Sequence, residues 1–138
     1  MQLSRVGDLR GVLGGPWPQV RDLSVLGYLG VDVIDAVAAR FPSLHRLTLR
    51  VQGAVDLGDL ARLPVEVLDL QGCRIVNLSG VTATSTLQKI WLEGCPDVDL
   101  RPLAGRKLEL YLSRKSAYHG LDELGPGATV NWIGVVKD

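Results

Sequence analysis

No apolar run in this 138-residue chain approaches the roughly 18 residues needed to cross a bilayer. The opening MQLSRVGDLRGVLGG lacks the apolar core of a secretory signal. A cytoplasmic protein with no membrane partner is the expectation. Two cysteines are too few for a disulfide scaffold and fit a reducing compartment. Neither of the two histidines, His45 and His119, stands at a spacing that completes a zinc site with them. No GxxxxGK[ST] or GxGxxG is present to cradle phosphates, and no residue near either imidazole repeats a nucleophile motif. Catalytic, cofactor and metal residues are therefore all assigned as none, and the chain is read as non-enzymatic. The formal net charge is zero, so no global field draws it to nucleic acid, which is disfavoured as a partner.

What the chain does have is a repeat. With 46% hydrophobic and 22% charged residues, it has the composition of one globular domain. Apolar residues recur at offsets of three and two in Val20/Leu23/Val25, Leu44/Leu47/Leu49, Val65/Leu68/Leu70 and Leu87/Ile90/Leu92, then more weakly in Leu110/Leu112 and Val130/Trp132. Such a period means that each unit is one supersecondary element, burying its apolar face only by stacking on its neighbours. The alternation in Leu68-Asp69-Leu70 and Ile90-Trp91-Leu92 is that of a strand with two inward residues flanking an outward one. Inward burial is expected for Leu47, Leu49, Leu68, Leu70, Ile90, Leu92, Leu110 and Leu112. Strands of successive units must run parallel.

The second half of each unit also repeats. Val55-Asp56-Leu57 aligns with Val76-Asn77-Leu78 and Val98-Asp99-Leu100, each placing a short acceptor where it can cap a helical turn. The spacing leaves room for a tight or 3₁₀ turn there. The first unit is longer, and Asp32 to Phe41 reads as an amphipathic helix ended by Pro42.

Val65-Glu-Val-Leu68-Asp-Leu70-Gln-Gly-Cys73 and Leu87-Gln-Lys-Ile90-Trp-Leu92-Glu-Gly-Cys95 resemble the leucine-rich repeat, LxxLxLxx(N/C). The resemblance covers residues 20 to 133. It implies an α/β fold: a solenoid of about five to six repeats, with a parallel concave sheet and short helical turns on the convex side. It also implies that Cys73 and Cys95, both at the ninth position, turn inward as quiet thiols bonded to the backbone; Gln52 and Lys115 hold that position elsewhere. Lys107 and Gly127 stand where an apolar anchor belongs, so the last two units are degenerate. Residues 1–19 are read as an N-terminal partial repeat or cap, 20–126 as the repeats, and 127–138 as a capping strand and tail in which Trp132 shields the core end. Within the first segment, Val6-Gly7-Asp8-Leu9 looks like the second half of a repeat whose strand is missing. The chain then reads as cut from something longer; a short amphipathic cap is the alternative.

The outward positions supply the candidate site. The fifth position of each unit gives Ser24, Thr48, Asp69, Trp91, Tyr111 and Asn131; the third gives Asp22, Arg46, Val67, Lys89 and Glu109. Trp, Tyr and Arg dominate binding hot spots, so Arg46, Asp69, Lys89, Trp91, Glu109 and Tyr111 are the candidate partner-binding residues. An exposed aromatic pair on a sheet can equally serve cross-strand packing. Arg101, Arg106, Lys107, Arg114 and Lys115 form a basic stretch that reads either as a phosphate contact or as solvated surface.

The last third, from WLEGCPDVDLRPLAG to LGPGATVNWIG, resembles the C-terminal repeats of actinobacterial NACHT-type NTPases, bacterial relatives of immune receptors. That resemblance implies a sensor or autoinhibitory module of an antiphage-defence receptor, binding a protein ligand or another domain of its parent and monomeric in isolation. A generic scaffold and a regulatory appendage of an unrelated enzyme are the alternatives.

Overall fold

A computed structural model describes residues 2–4, 16–27, 33–50, 53–113 and 117–133. Its main feature is a seven-stranded parallel sheet built from β1 (Gln2–Ser4), β2 (Asp22–Leu26), β3 (Arg46–Arg50), β5 (Val67–Leu70), β7 (Lys89–Trp91), β9 (Glu109–Ser113) and β11 (Thr129–Ile133), in that spatial order. The fold is α/β, with one helix, α1 (Val33–Arg40), among the described residues. Four shorter strands form two separate parallel ladders: β4 (Ala54–Asp56) with β6 (Arg74–Val76), and β8 (Val98–Asp99) with β10 (Tyr118–His119).

The register is what the repeat requires. Leu47 lies opposite Leu23 on one side and Leu68 on the other, and Leu68 lies opposite Ile90, which faces Leu110. Leu47, Leu49, Leu68, Leu70, Ile90, Leu92, Leu110 and Leu112 are all fully buried. At about 1.5–3 kcal/mol for each large apolar side chain removed from water, this stripe is the main source of cohesion between units. It packs against Leu57, Leu60, Val81, Leu100 and Leu103 from the opposite half of the units. 3₁₀ turns at Leu60–Arg62, Leu78–Ala83, Arg101–Leu103 and Leu121–Glu123 carry the chain across that half. The turns stack closely: a Cβ added to Gly80 would lie 1.9 Å from the Leu57 carbonyl oxygen.

Helix α1 forms where the sequence turns from strand alternation to a run rich in Ala and Val, and it buries Val33, Ile34, Ala36 and Val37. Phe41 still donates its N–H to the Val37 carbonyl at 2.8 Å, and Pro42 has no N–H to continue the series. After each strand the chain must bend sharply. Gly27, Gly72 and Gly94, all eighth in their units, do this with φ of 83°, 70° and 71°, values that a side chain would strain.

The ends differ from expectation. The strand that seemed missing ahead of Val6 is present: β1 pairs with β2, Gln2 against Ser24 and Ser4 against Leu26. Val6–Leu9 themselves lie outside the described residues. At the other end, Leu108 is buried and takes over the anchoring that Lys107 cannot supply, one position later. At Gly127 a Cβ would meet the Arg106 carbonyl at 3.1 Å, and Ala128 packs against the core beside it. Trp132 lies on the last strand, in register with the buried Leu112. It is 38% exposed and meets Tyr118 edge-on, with ring centroids 6.3 Å apart.

The capping residues divide. Asp56 Oδ1 accepts the Gly58 N–H at 2.8 Å, and Asp99 Oδ1 accepts the Arg101 N–H at 3.0 Å, each bending the chain locally. Asn77 caps nothing and instead donates its side-chain amide to Asp56 Oδ1 at 2.9 Å. The β4–β6 ladder sets Asp56 opposite Val76 rather than Asn77. Asn77 is the extra residue, held in the left-handed region at φ 57°, as at a bulge.

Candidate partner-binding face

Because inward and outward side chains alternate along a strand, the buried leucines force a row of side chains to the other face of the sheet. Thr48, Asp69, Trp91, Tyr111 and Asn131 lie side by side on β3, β5, β7, β9 and β11, all half-buried. The row before it runs Asp22, Arg46, Val67, Lys89, Glu109, Thr129. All six candidate residues therefore share one surface.

Four of them form a connected group. The rings of Trp91 and Tyr111 stack with centroids 3.9 Å apart and planes inclined by 5°. Tyr111 Oη donates to Glu109 Oε2 at 3.0 Å, and Lys89 Nζ lies 3.7 Å from the same oxygen. Glu109 thus ties the ring stack to the ammonium beside it. The Tyr111 phenol is pushed above its usual range, first because its proton is shared with Glu109 and then through loss of water. Asp69, opposite Trp91, accepts the Gln71 side-chain amide at 3.2 and 3.3 Å. It has no cationic partner among the described residues. Arg46 stands apart on β3, exposed, beside Val67. Glu93, absent from the candidate set, is exposed two residues beyond Trp91, in the turn that follows β7. Continuing the strand alternation by one more step would have found it.

Beneath this face the two thiols are buried and unbridged. Cys73 Sγ donates to the Leu49 carbonyl at 3.6 Å, and Cys95 Sγ to the Leu70 carbonyl at 3.5 Å. Burial pushes the Cys95 thiol up to about 12. The next equivalent carbonyl, Leu92, is met by Tyr118 Oη at 2.9 Å, which also accepts the Ser113 N–H at 2.8 Å. A tyrosine hydroxyl from the following turn thus does the work of the absent third thiol. Lys115 and Gln52, at the same position of other units, lie outside the described residues.

Of the basic stretch, Arg101, Arg106 and Lys107 are among the described residues. Arg101 is held against Asp99, with Nη2 2.7 Å from Oδ2. Hydrogen bonds from the Arg101 side chain and N–H hold the Asp99 carboxyl down at about 2. Arg106 Nη2 donates to the Thr84 carbonyl at 2.8 Å. Lys107 is exposed, while Arg114 and Lys115 lie outside the described residues. Asp99 and Arg101 line a depression of about 450 Å³ with His119, Gly120 and Glu123, in which His119 Nε2 lies 4.0 Å from Asp97. His45 is half-buried ahead of β3, its Nδ1 2.7 Å from the Ser43 carbonyl. Among the described residues no group of three His, Cys, Asp or Glu could hold a metal ion. No helix among them is long and apolar enough to cross a membrane.

No protein-family model, curated protein or solved structure matches this chain.

Proposed function

We propose that the protein is a non-catalytic, protein-binding module: a leucine-rich-repeat solenoid of about five to six units whose concave sheet face engages a protein ligand or another domain of a parent protein. The observation that carries this reading is the stacked Trp91–Tyr111 pair, set on a solvent-facing sheet and linked through Glu109 to Lys89. Large, rigid aromatics bury much area on binding at low conformational cost, and these two are already ordered. The in-register parallel strands, the 3₁₀ turns between them and the inward thiols support the repeat reading.

The parent we favour is a bacterial defence NTPase of the NACHT type, cytoplasmic, with this module as its sensor or autoinhibitory segment. That choice rests on the sequence resemblance of the last third of the chain. A nucleotide-binding motif encoded upstream of Met1 supports it; a hydrolase or kinase motif there makes the module a regulatory appendage instead.

One observation favours a plainer reading. Each ring already covers a face of the other, so the pair also works as cross-strand packing in a scaffold. Changing Trp91 and Tyr111 together to Ala separates the two. The binding reading expects loss of partner binding, or of ligand-dependent activation in an intact receptor, with stability lowered by only about 1 kcal/mol. Unchanged binding, together with a stability loss well above that figure, makes the stack structural and removes the sensor reading.

A further inference from the structure

The stack of planar groups ends abruptly on one side. Tyr111 covers the face of Trp91 turned toward β9. Because the two rings are nearly parallel and stack along the direction between strands, the other face of the indole is turned toward β5. The residue in register there is Asp69, whose side chain is too short to cover an indole. Its carboxylate is steadied by the Gln71 amide at 3.2 and 3.3 Å, a neutral donor that leaves its charge in place. Glu93 adds a second carboxylate two residues beyond Trp91, in the turn that follows β7, exposed and without a side-chain partner among the described residues. Glu109 supplies a third, and Lys89 lies 3.7 Å from Glu109. Among the described residues on β7, its following turn and the facing positions of β5 and β9, three carboxylates stand against one ammonium, although the chain as a whole is neutral. Arg46 and Arg50 belong to β3, two strands away from the indole; on that strand they flank Thr48, which lies opposite Asp69.

We propose that this is a subsite for an arginine side chain of the protein partner: the guanidinium lies flat on the open face of Trp91, extending the stack, and pairs with Asp69, with Glu93 at its edge. The inference rests on the partner-binding reading of this face and names the chemistry the face selects. A guanidinium is the group that satisfies both demands at once. It is planar and weakly hydrated, so it stacks on an aromatic ring, and its paired N–H groups match a carboxylate. A lysine ammonium can pair with Asp69 but cannot stack as a plane. An acidic partner segment meets Asp69 and Glu93 head-on.

The test uses the full chain, ¹⁵N-labelled, and a short probe, acetyl-Gly-Arg-Arg-Gly-amide. Binding is read at the indole N–H resonance of Trp91, assigned through Trp91→Phe so that Trp17 and Trp132 are not confused with it. A saturable shift is expected, about tenfold weaker when citrulline replaces arginine, since citrulline keeps the shape and loses the charge. The lysine peptide falls between them. Asp69→Asn, with an unchanged melting curve as the check on folding, weakens the arginine peptide by about tenfold, and Glu93→Gln by less. Equal binding of the arginine and citrulline peptides overturns the inference, as does an Asp69→Asn protein that binds as the parent does. The two proposals fail separately. If Trp91→Ala with Tyr111→Ala abolishes partner binding while Asp69→Asn leaves it intact, the face is a binding surface without an arginine subsite. If the arginine peptide binds as described but partner binding survives loss of both rings, the subsite stands and the assignment of the face to that partner falls.

Discussion

The units between Leu44 and Leu103 and the units after them solve the same packing problem with different residues. In the central units every anchor is apolar, and in those that begin at Val65 and Leu87 a buried thiol reaches back to the carbonyl of the preceding strand. After Lys107 the anchor moves to Leu108 and then to the half-buried Ala128, and a tyrosine hydroxyl replaces the thiol. The backbone registers the change only as a shift of the donor by one position. Glu66 and Gln88, just ahead of their own strands, and Glu109 and Thr129, the first residues of theirs, all donate to the residue just ahead of the neighbouring strand, at 2.7 to 2.9 Å. The strand ladder is thus the tolerant part of each unit, and side-chain filling is the part that varies along the chain.

The sharpest way to break the comparison is to remove apolar bulk from each region. Leu70→Ala or Leu92→Ala, in the fully buried stripe, should cost roughly 2–5 kcal/mol in chemical denaturation. Val130→Ala, at a half-buried position on the last strand, should cost about 1 kcal/mol or less. Equal losses would mean that the terminal unit is packed as tightly as the middle.

A smaller effect tests the hydroxyl that replaces the thiol. Tyr118→Phe keeps the ring against Trp132 but takes one partner each from the Leu92 carbonyl and the Ser113 N–H. A loss of about 1–3 kcal/mol is expected. A change under about 0.5 kcal/mol would show that the bridge contributes nothing to joining the units.

The smallest effect is confined to alkaline solution. The Cys95 thiol has a folded value of about 12 against 9.0 for the free group, so the folded state holds its proton more tightly than the unfolded chain does. Its contribution is complete below pH 9 and declines as pH rises toward 12. Cys95→Ala should flatten the fall in melting temperature over that window, and native Cys95 should resist alkylation until denaturant is added. A variant whose alkaline profile matches the parent's would remove the thiol from this account.

The long strands and their inward residues were legible because alternation leaves the same mark in every unit. The sequence places Trp91 beside Tyr111 for that reason alone, without giving the parallel stacking of the rings. Four features left no such mark. β1 is a three-residue strand, Gln-Leu-Ser, whose identity comes from pairing with β2 rather than from its composition. The β4–β6 and β8–β10 ladders are two or three residues long and exist only because successive turns are brought into line. Leu108 looks like a misplaced hydrophobe until Gly127 and Ala128 are seen beside it. Tyr118 reads as an ordinary turn residue, since nothing in its spacing says that its hydroxyl reaches a carbonyl 26 residues back.

One consequence of the strand register concerns how the chain finds its structure. Asp22 pairs with Arg46 and Glu109 with Thr129, separations of 24 and 20 residues, and the main sheet holds no pairing between strands of distant units. Closing each loop therefore carries a similar entropic cost, since that cost grows only slowly with loop length. No step must wait for the two ends of the molecule to meet. Assembly can spread outward like a zip from whichever neighbouring pair of strands forms first, and the central units, with complete anchors, are the natural starting point. Opening runs the other way, beginning at the terminal strands, so Tyr111, one strand from the end, loosens before Trp91 does.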